Sequence, residues 1–177
     1  MTVALVIRVP GQGAVLACDS RVSCDGTGSI YSDTERKWGQ FGTVIACYAG
    51  TPGALWGELV ADPPKRWVDF HKRTTDLDAE SHKRDYEILA YDRARDRLWH
   101  TDHQGWAVAV SGLHAAIGCG GPLALGVMDG AKAPTSLEQA AQLAARAIKL
   151  TCRRNVFCGG RVRVVVVRGR RAPLETR

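Results

Sequence analysis

The feature that most limits what this chain can become is its beginning, Met1-Thr2-Val3-Ala4-Leu5-Val6-Ile7. Five consecutive apolar residues after a threonine read as a buried strand that starts at the chain terminus. Termini usually fray in solvent, so a terminus threaded into a core obliges the rest of the fold to close around it. The run is too short to cross a membrane, and it lacks the basic start and small-residue cleavage site of a secretory signal. The small residue after Met1 permits its removal. The chain would then begin with Thr2, whose hydroxyl and free α-amine make a nucleophile with its own base.

The remaining pattern alternates short strands with helices. Pro10-Gly11-Gln12-Gly13 is a turn, and Ala14 to Cys18 pairs with the opening strand as a hairpin. Asp19 follows directly, a carboxylate at a strand end that burial would oblige to find a partner. Asp25 to Gly28 is a turn, Ser29 to Tyr31 and Arg36 to Phe41 are short strands, and Thr43 to Ala49 is an apolar, partly β-branched strand. Thr51 and Pro52 suit a helix start, with Ala54, Leu55, Leu59 and Val60 on its inner face. Lys65 to Thr75 is a second helix with Trp67, Val68 and Phe70 inward, and Asp76 to Arg84 is a polar loop. Strands follow at Tyr86 to Tyr91, Arg97 to Thr101, Trp106 to Val110 and Ala115 to Ile117.

Gly118-Cys119-Gly120-Gly121-Pro122 is a turn of small residues that implies close backbone approach, and it leads into a helix over Leu123 to Asp129. Ser136-Leu137-Glu138-Gln139 is a capping box ahead of an Ala-rich amphipathic helix. Arg153 to Gly160 is a loop. Arg161 to Arg168 is the last strand, its valines Val164 to Val167 expected to be buried on both faces. The pattern gives an α+β class.

Composition narrows the function classes. The 177 residues are 45% hydrophobic and 24% charged, which suits a single globular domain spanning 1–177. The net charge of +6 is partly concentrated in residues 168–177, read as a frayed basic tail. No nucleic-acid module accompanies it, so neither nucleic acid nor membrane is an expected partner. The six cysteines include no C-x-x-C pair and read as reduced thiols in a cytoplasmic protein. The five histidines show no zinc spacing beside them, and no metal or cofactor is expected.

Five stretches, in order, resemble the proteasome-like peptidases, the β-type subunits and their bacterial relative HslV, which are N-terminal nucleophile hydrolases. Thr2-Val3 with the hairpin into Ala17-Cys18-Asp19-Ser20-Arg21 is similar to the family's threonine strand and following acidic residue. Arg36-Lys37-Trp38 resembles its lysine segment, and Val44 to Gly50 the strand that ends in the oxyanion glycine. Ile117 to Pro122 resembles its Gly-Ser-Gly-Gly turn, and Arg154 to Gly160 its Arg-Asp-x-x-Ser-Gly-Gly loop.

The resemblance implies a four-layer α-β-β-α sandwich and a threonine endopeptidase subunit of a self-compartmentalised homo-oligomeric ring. Such a ring acts on unfolded polypeptides, with an AAA+ unfoldase as partner. By the same resemblance Thr2 is the nucleophile, Lys37 favours the alkoxide and keeps the amine neutral, and Asp19 holds Lys37. The α-amine, with an ordinary pKa of about 7.7–8.0, suits a base at neutral pH. Cys47 stands at the oxyanion position, where a backbone N–H is the donor. Cys119 and Cys158 stand for the family serines, and Asn155 for its aspartate. Ser20, Ile45 and Ala49 are the expected lining of the substrate pocket. Two other readings stand beside it: a catalytically impaired ring subunit, which the cysteine departures favour, and an N-terminal nucleophile amidohydrolase acting on a small amide, for whose larger insertions the chain has little room.

Overall fold

The opening run forms an inner strand. In the computed structural model, which describes residues 2–23, 27, 29–51, 53–76, 86–102 and 107–169, β1 (Ala4–Val9) is antiparallel to β2 (Gly13–Cys18) on one side. On its other side it pairs with β10 (His114–Ile117). The last strand, β11 (Arg163–Arg168), adds to the outer edge of β2, giving the order β10-β1-β2-β11. Met1, most of the turn at 25–28, Pro52, the polar segment 77–85, Trp106 and the tail from 170 lie outside the described residues.

A second antiparallel sheet follows the order β5-β6-β7-β8-β9. Its strands are β5 (Trp38–Phe41), β6 (Val44–Gly50), β7 (Tyr86–Asp92), β8 (Arg97–Thr101) and β9 (Ala107–Ala109). A short ribbon, β3 (Val22–Ser23) with β4 (Ile30–Ser32), links the sheets. The helices are α1 (Gly53–Ala61), α2 (Trp67–Asp76), α3 (Gly121–Asp129) and α4 (Leu137–Arg154).

Alternation along each strand sorts its side chains into separate cores. On β1, Leu5, Ile7 and Val9 pack with Ala124, Met128, Ala140, Ala144, Ala147 and Ile148 of α3 and α4. Ala4 and Val6 point the other way and meet Ile45, Cys47 and Ala49 of β6 and Leu89 and Tyr91 of β7. The opposite face of β6, Val44, Ala46 and Tyr48, packs with Leu55 and Leu59 of α1 and Trp67 and Phe70 of α2. Aromatic contacts knit this third core, with Trp67 stacked on Trp99 at 4.6 Å.

Four expectations need correction. The valines of β11 are not buried on both faces: Val164 and Val166 are 37% and 47% exposed, while Val167 is buried. The cause is sheet order, since β11 is an edge strand and its outward face is left uncovered. Val60 on α1 and Val68 on α2 face solvent, while Leu55, Leu59, Trp67 and Phe70 carry the packing. The helix after Ser136 runs to Arg154, past the expected loop start at Arg153. Its cap is half as expected. The Ser136 hydroxyl accepts from the Gln139 N–H at 3.2 Å, but the Gln139 side chain accepts from Thr135 (N 2.9 Å, Oγ1 3.0 Å) rather than from Ser136.

The Ala face of α4 is a spacing device, because only a methyl fits between the helix and β1–β2. Ala144→Leu forces extra carbons into a filled core and is expected to lower stability by about 1–3 kcal/mol. Urea denaturation measures it, and Gln142→Ala on the exposed side should shift stability by less than about 0.5 kcal/mol.

Candidate active site around Thr2

The hairpin register places the start of β1 beside the end of β2. Ala4 pairs with Cys18, so Val3 and Asp19 come next to each other one step beyond. The Asp19 N–H donates to the Val3 carbonyl at 3.1 Å, and the Val3 N–H donates back to Asp19 Oδ1 at 3.3 Å. Asp19 Oδ2 accepts from the Gly159 N–H at 2.9 Å. A carboxylate at 0% exposure is thereby held from two directions by backbone donors.

Lys37, in the residue before β5, enters the same buried space at 1% exposure. Its ammonium donates to Asp19 Oδ1 at 2.9 Å, to Thr2 Oγ1 at 2.7 Å and closely to the Arg21 carbonyl. Three acceptors match its three protons, which is what a buried ammonium requires. A positive charge on the threonine oxygen favours its alkoxide, and Asp19 keeps that charge in place.

The turn between β10 and α3 closes on the Thr2 carbonyl. The Gly120 N–H donates to it at 3.3 Å, and the Cys119 thiol at 3.5 Å. Side chains are excluded here by contact. A Cβ on Gly118, at φ +80°, would lie 2.3 Å from the Thr2 carbonyl oxygen, and one on Gly120 would lie 2.7 Å from the Val3 Cβ and 2.8 Å from Cys158 Sγ. Asn155, the cap residue of α4, ties this turn to the following loop. Its amide donates to the Cys119 carbonyl at 3.1 Å and its oxygen accepts from the Phe157 N–H at 3.0 Å. Cys158 Sγ lies 3.6 Å from Cys119 Sγ.

The thiols differ sharply in acidity. Cys119 is brought down to about 6, first by the hydrogen bond from Cys158 and against the effect of burial. Cys158 is pushed up, first by that same bond to Cys119 and then by burial. Burial raises Cys18 to about 12 and Cys152 to about 11, and it raises Cys47 as well.

The fold therefore brings together Thr2, Asp19, Lys37, Cys119, Asn155 and Cys158. The other four expected residues are buried beside or behind this cluster. Cys47 sits in mid-strand with Trp38 opposite on β5 and Leu89 opposite on β7, at 0% exposure, so its backbone is enclosed in the ladder. It is not an oxyanion donor. The end of β6 fits better: Ala49 lies against Gly118 and the Thr2 carbonyl, and Gly50, exposed at φ +90°, follows it. Ile45 and Ala49 point into the core between the sheets and do not line an open pocket. Ser20 is fully buried, its hydroxyl bonded closely to the Asp33 carbonyl and accepting from the Arg161 N–H at 2.7 Å, so it fixes loops. Sequence reasoning missed Gly159, the Arg21 carbonyl and Gly50. Of these, Gly50 carried a signal, because it closes an apolar run.

Among the described residues no cluster of three or more His, Cys, Asp or Glu is placed to hold a metal, and no helix is long and apolar enough to cross a membrane.

Two measurements probe this geometry. Lys37→Met leaves Asp19 buried without its cation, and the expected loss of stability is about 3–5 kcal/mol by chemical denaturation. Alkylation of Cys119 by iodoacetamide, followed by peptide mass mapping, should rise with pH to a plateau with its midpoint near pH 6. A midpoint above pH 8 would show that Cys158 does not donate to it.

Comparison with known proteins follows the same outline. The family described as proteasome subunit matches residues 86–167. No curated protein matches the chain. Among solved structures, the Gly-1 mutant of Anbu from Hyphomicrobium sp. strain MC1 superposes with a TM-score of 0.72 at 16% identity, covering 95% of this chain and 82% of that one. The chain thus has a mixed α+β proteasome-like fold, and its residues 86–167 match the proteasome subunit family.

Proposed function

We propose that the chain is a threonine-type endopeptidase subunit, with Thr2 as nucleophile once Met1 has been removed. The observation that carries this reading is the Lys37 ammonium 2.7 Å from Thr2 Oγ1, fixed by a fully buried Asp19. The free α-amine of Thr2 takes the hydroxyl proton as Oγ1 attacks a peptide carbonyl, and Lys37 stabilises the charge on Oγ1. The Gly50 N–H at the end of β6 is the proposed donor to the oxyanion, in place of Cys47. The protonated amine then gives its proton to the leaving peptide nitrogen, and water hydrolyses the acyl-threonine. Cys119, Asn155 and Cys158 position the turn that holds the Thr2 carbonyl.

Cores on both sides of each sheet support reading the fold as one four-layer α-β-β-α domain. In this reading the subunits assemble into a closed cytoplasmic ring that hydrolyses unfolded polypeptides delivered by an AAA+ unfoldase. Confinement suits an unselective site, because it keeps folded proteins away from the nucleophile.

Thr2→Ala is expected to reduce peptide hydrolysis by at least about a thousandfold, at a cost in stability of about 1–3 kcal/mol for the Lys37 proton left without its acceptor. Intact mass should show Met1 absent from active preparations, and a peptide epoxyketone should bond to Thr2. Full activity in Thr2→Ala, or an active enzyme that keeps Met1, would sink the mechanism. Light scattering should report a particle many times the 19.2 kDa chain. A monomer at every concentration would refute the ring.

A further inference from the structure

We propose that Cys119 and Cys158 are an oxidative modification site, closing to an intramolecular disulfide when the protein meets a peroxide. The two sulfurs come from segments 39 residues apart in sequence, the β10–α3 turn and the loop after α4, yet lie 3.6 Å apart. A disulfide needs them at about 2.05 Å, so the two sulfurs must close by about 1.5 Å. The backbones are already tied together on this side. Asn155 donates to the Cys119 carbonyl, and the Cys158 N–H donates to the Asn155 carbonyl at 3.1 Å.

The environments of the two thiols assign them different parts. Cys119 is partly exposed and has the depressed pKa of about 6, so at neutral pH it is the thiolate that meets the oxidant. Cys158 is fully buried, shielded from an oxidant in bulk solvent. The remaining described thiols do not compete, since burial pushes Cys18, Cys47 and Cys152 up and keeps them protonated.

The chemistry balances in two steps. The Cys119 thiolate attacks one peroxide oxygen, the O–O bond breaks, hydroxide leaves, and Cys119 becomes a sulfenic acid. The Cys158 sulfur then attacks the Cys119 sulfur. The S–S bond forms, the S–O bond breaks, and the hydroxyl leaves as water with the Cys158 proton. Two thiols lose two electrons, and one hydrogen peroxide becomes two waters.

The site goes beyond the peptidase reading and is tested without an activity assay. The native protein is treated with hydrogen peroxide at neutral pH, its free thiols are capped with a maleimide, and intact mass and tryptic peptides are recorded with and without dithiothreitol. The expected product has lost two hydrogens and four of its six cysteines remain cappable. One linked peptide should join Cys119 to Cys158, and dithiothreitol should release it. In Cys158→Ser the link should vanish and dimedone should label Cys119 as a sulfenic acid. A link joining any other cysteines, or wild-type Cys119 ending as a sulfinic acid while Cys158 stays free, overturns the proposal. The wild-type map decides even where the variant fails to fold.

Discussion

Everything near the candidate site depends on one buried ion pair. Asp19 and Lys37 meet at 2.9 Å with side chains 0% and 1% exposed, where taking two charges out of water costs several kcal/mol per ion before any attraction is counted. Such a pair persists only if its remaining lone pairs and protons are matched. Here Val3, Gly159, Thr2 and the Arg21 carbonyl complete the set. Four segments, the start of β1, the end of β2, the approach to β5 and the loop before β11, are thereby held to one point. Thr2 is positioned as a by-product of satisfying those charges. The same arrangement that is costly for stability gives Thr2 Oγ1 its cation.

Much of this was legible locally. An apolar run with Asp at its end and a small-residue turn carry their meaning within a few residues, but the roles of Thr2, Asp19, Lys37 and Cys119 were implied by the resemblance to the proteasome-like peptidases, through the order in which those stretches fall. The errors came where neighbours in space decide. Val164 to Val167 read as doubly buried because a run of valines does not encode whether its strand is central or an edge. The resemblance implied Cys47 as the oxyanion donor, and what rules that out, its enclosure in mid-ladder, depends on having β5 and β7 on either side. Ile45 and Ala49 share its face of β6 and go with it into the core between the sheets. Gln139 reached Thr135 rather than Ser136, a choice between adjacent backbone donors that the capping pattern leaves open.

Cys119, Asn155 and Cys158 form a matched set. A serine hydroxyl can donate and accept strongly; a thiol does both weakly, but it ionises far more easily. With Cys119 drawn toward its thiolate by Cys158, an aspartate at 155 would set a second anion beside it, near the already anionic Asp19. An amide removes that repulsion. It also does what a carboxylate cannot, because its Nδ2 donates to the Cys119 carbonyl while its oxygen accepts from Phe157. Asn155 is therefore the residue that makes a thiol pair tolerable here. Restoring an aspartate alone would leave the Cys119 carbonyl without its donor and loosen the turn on which the Thr2 carbonyl rests.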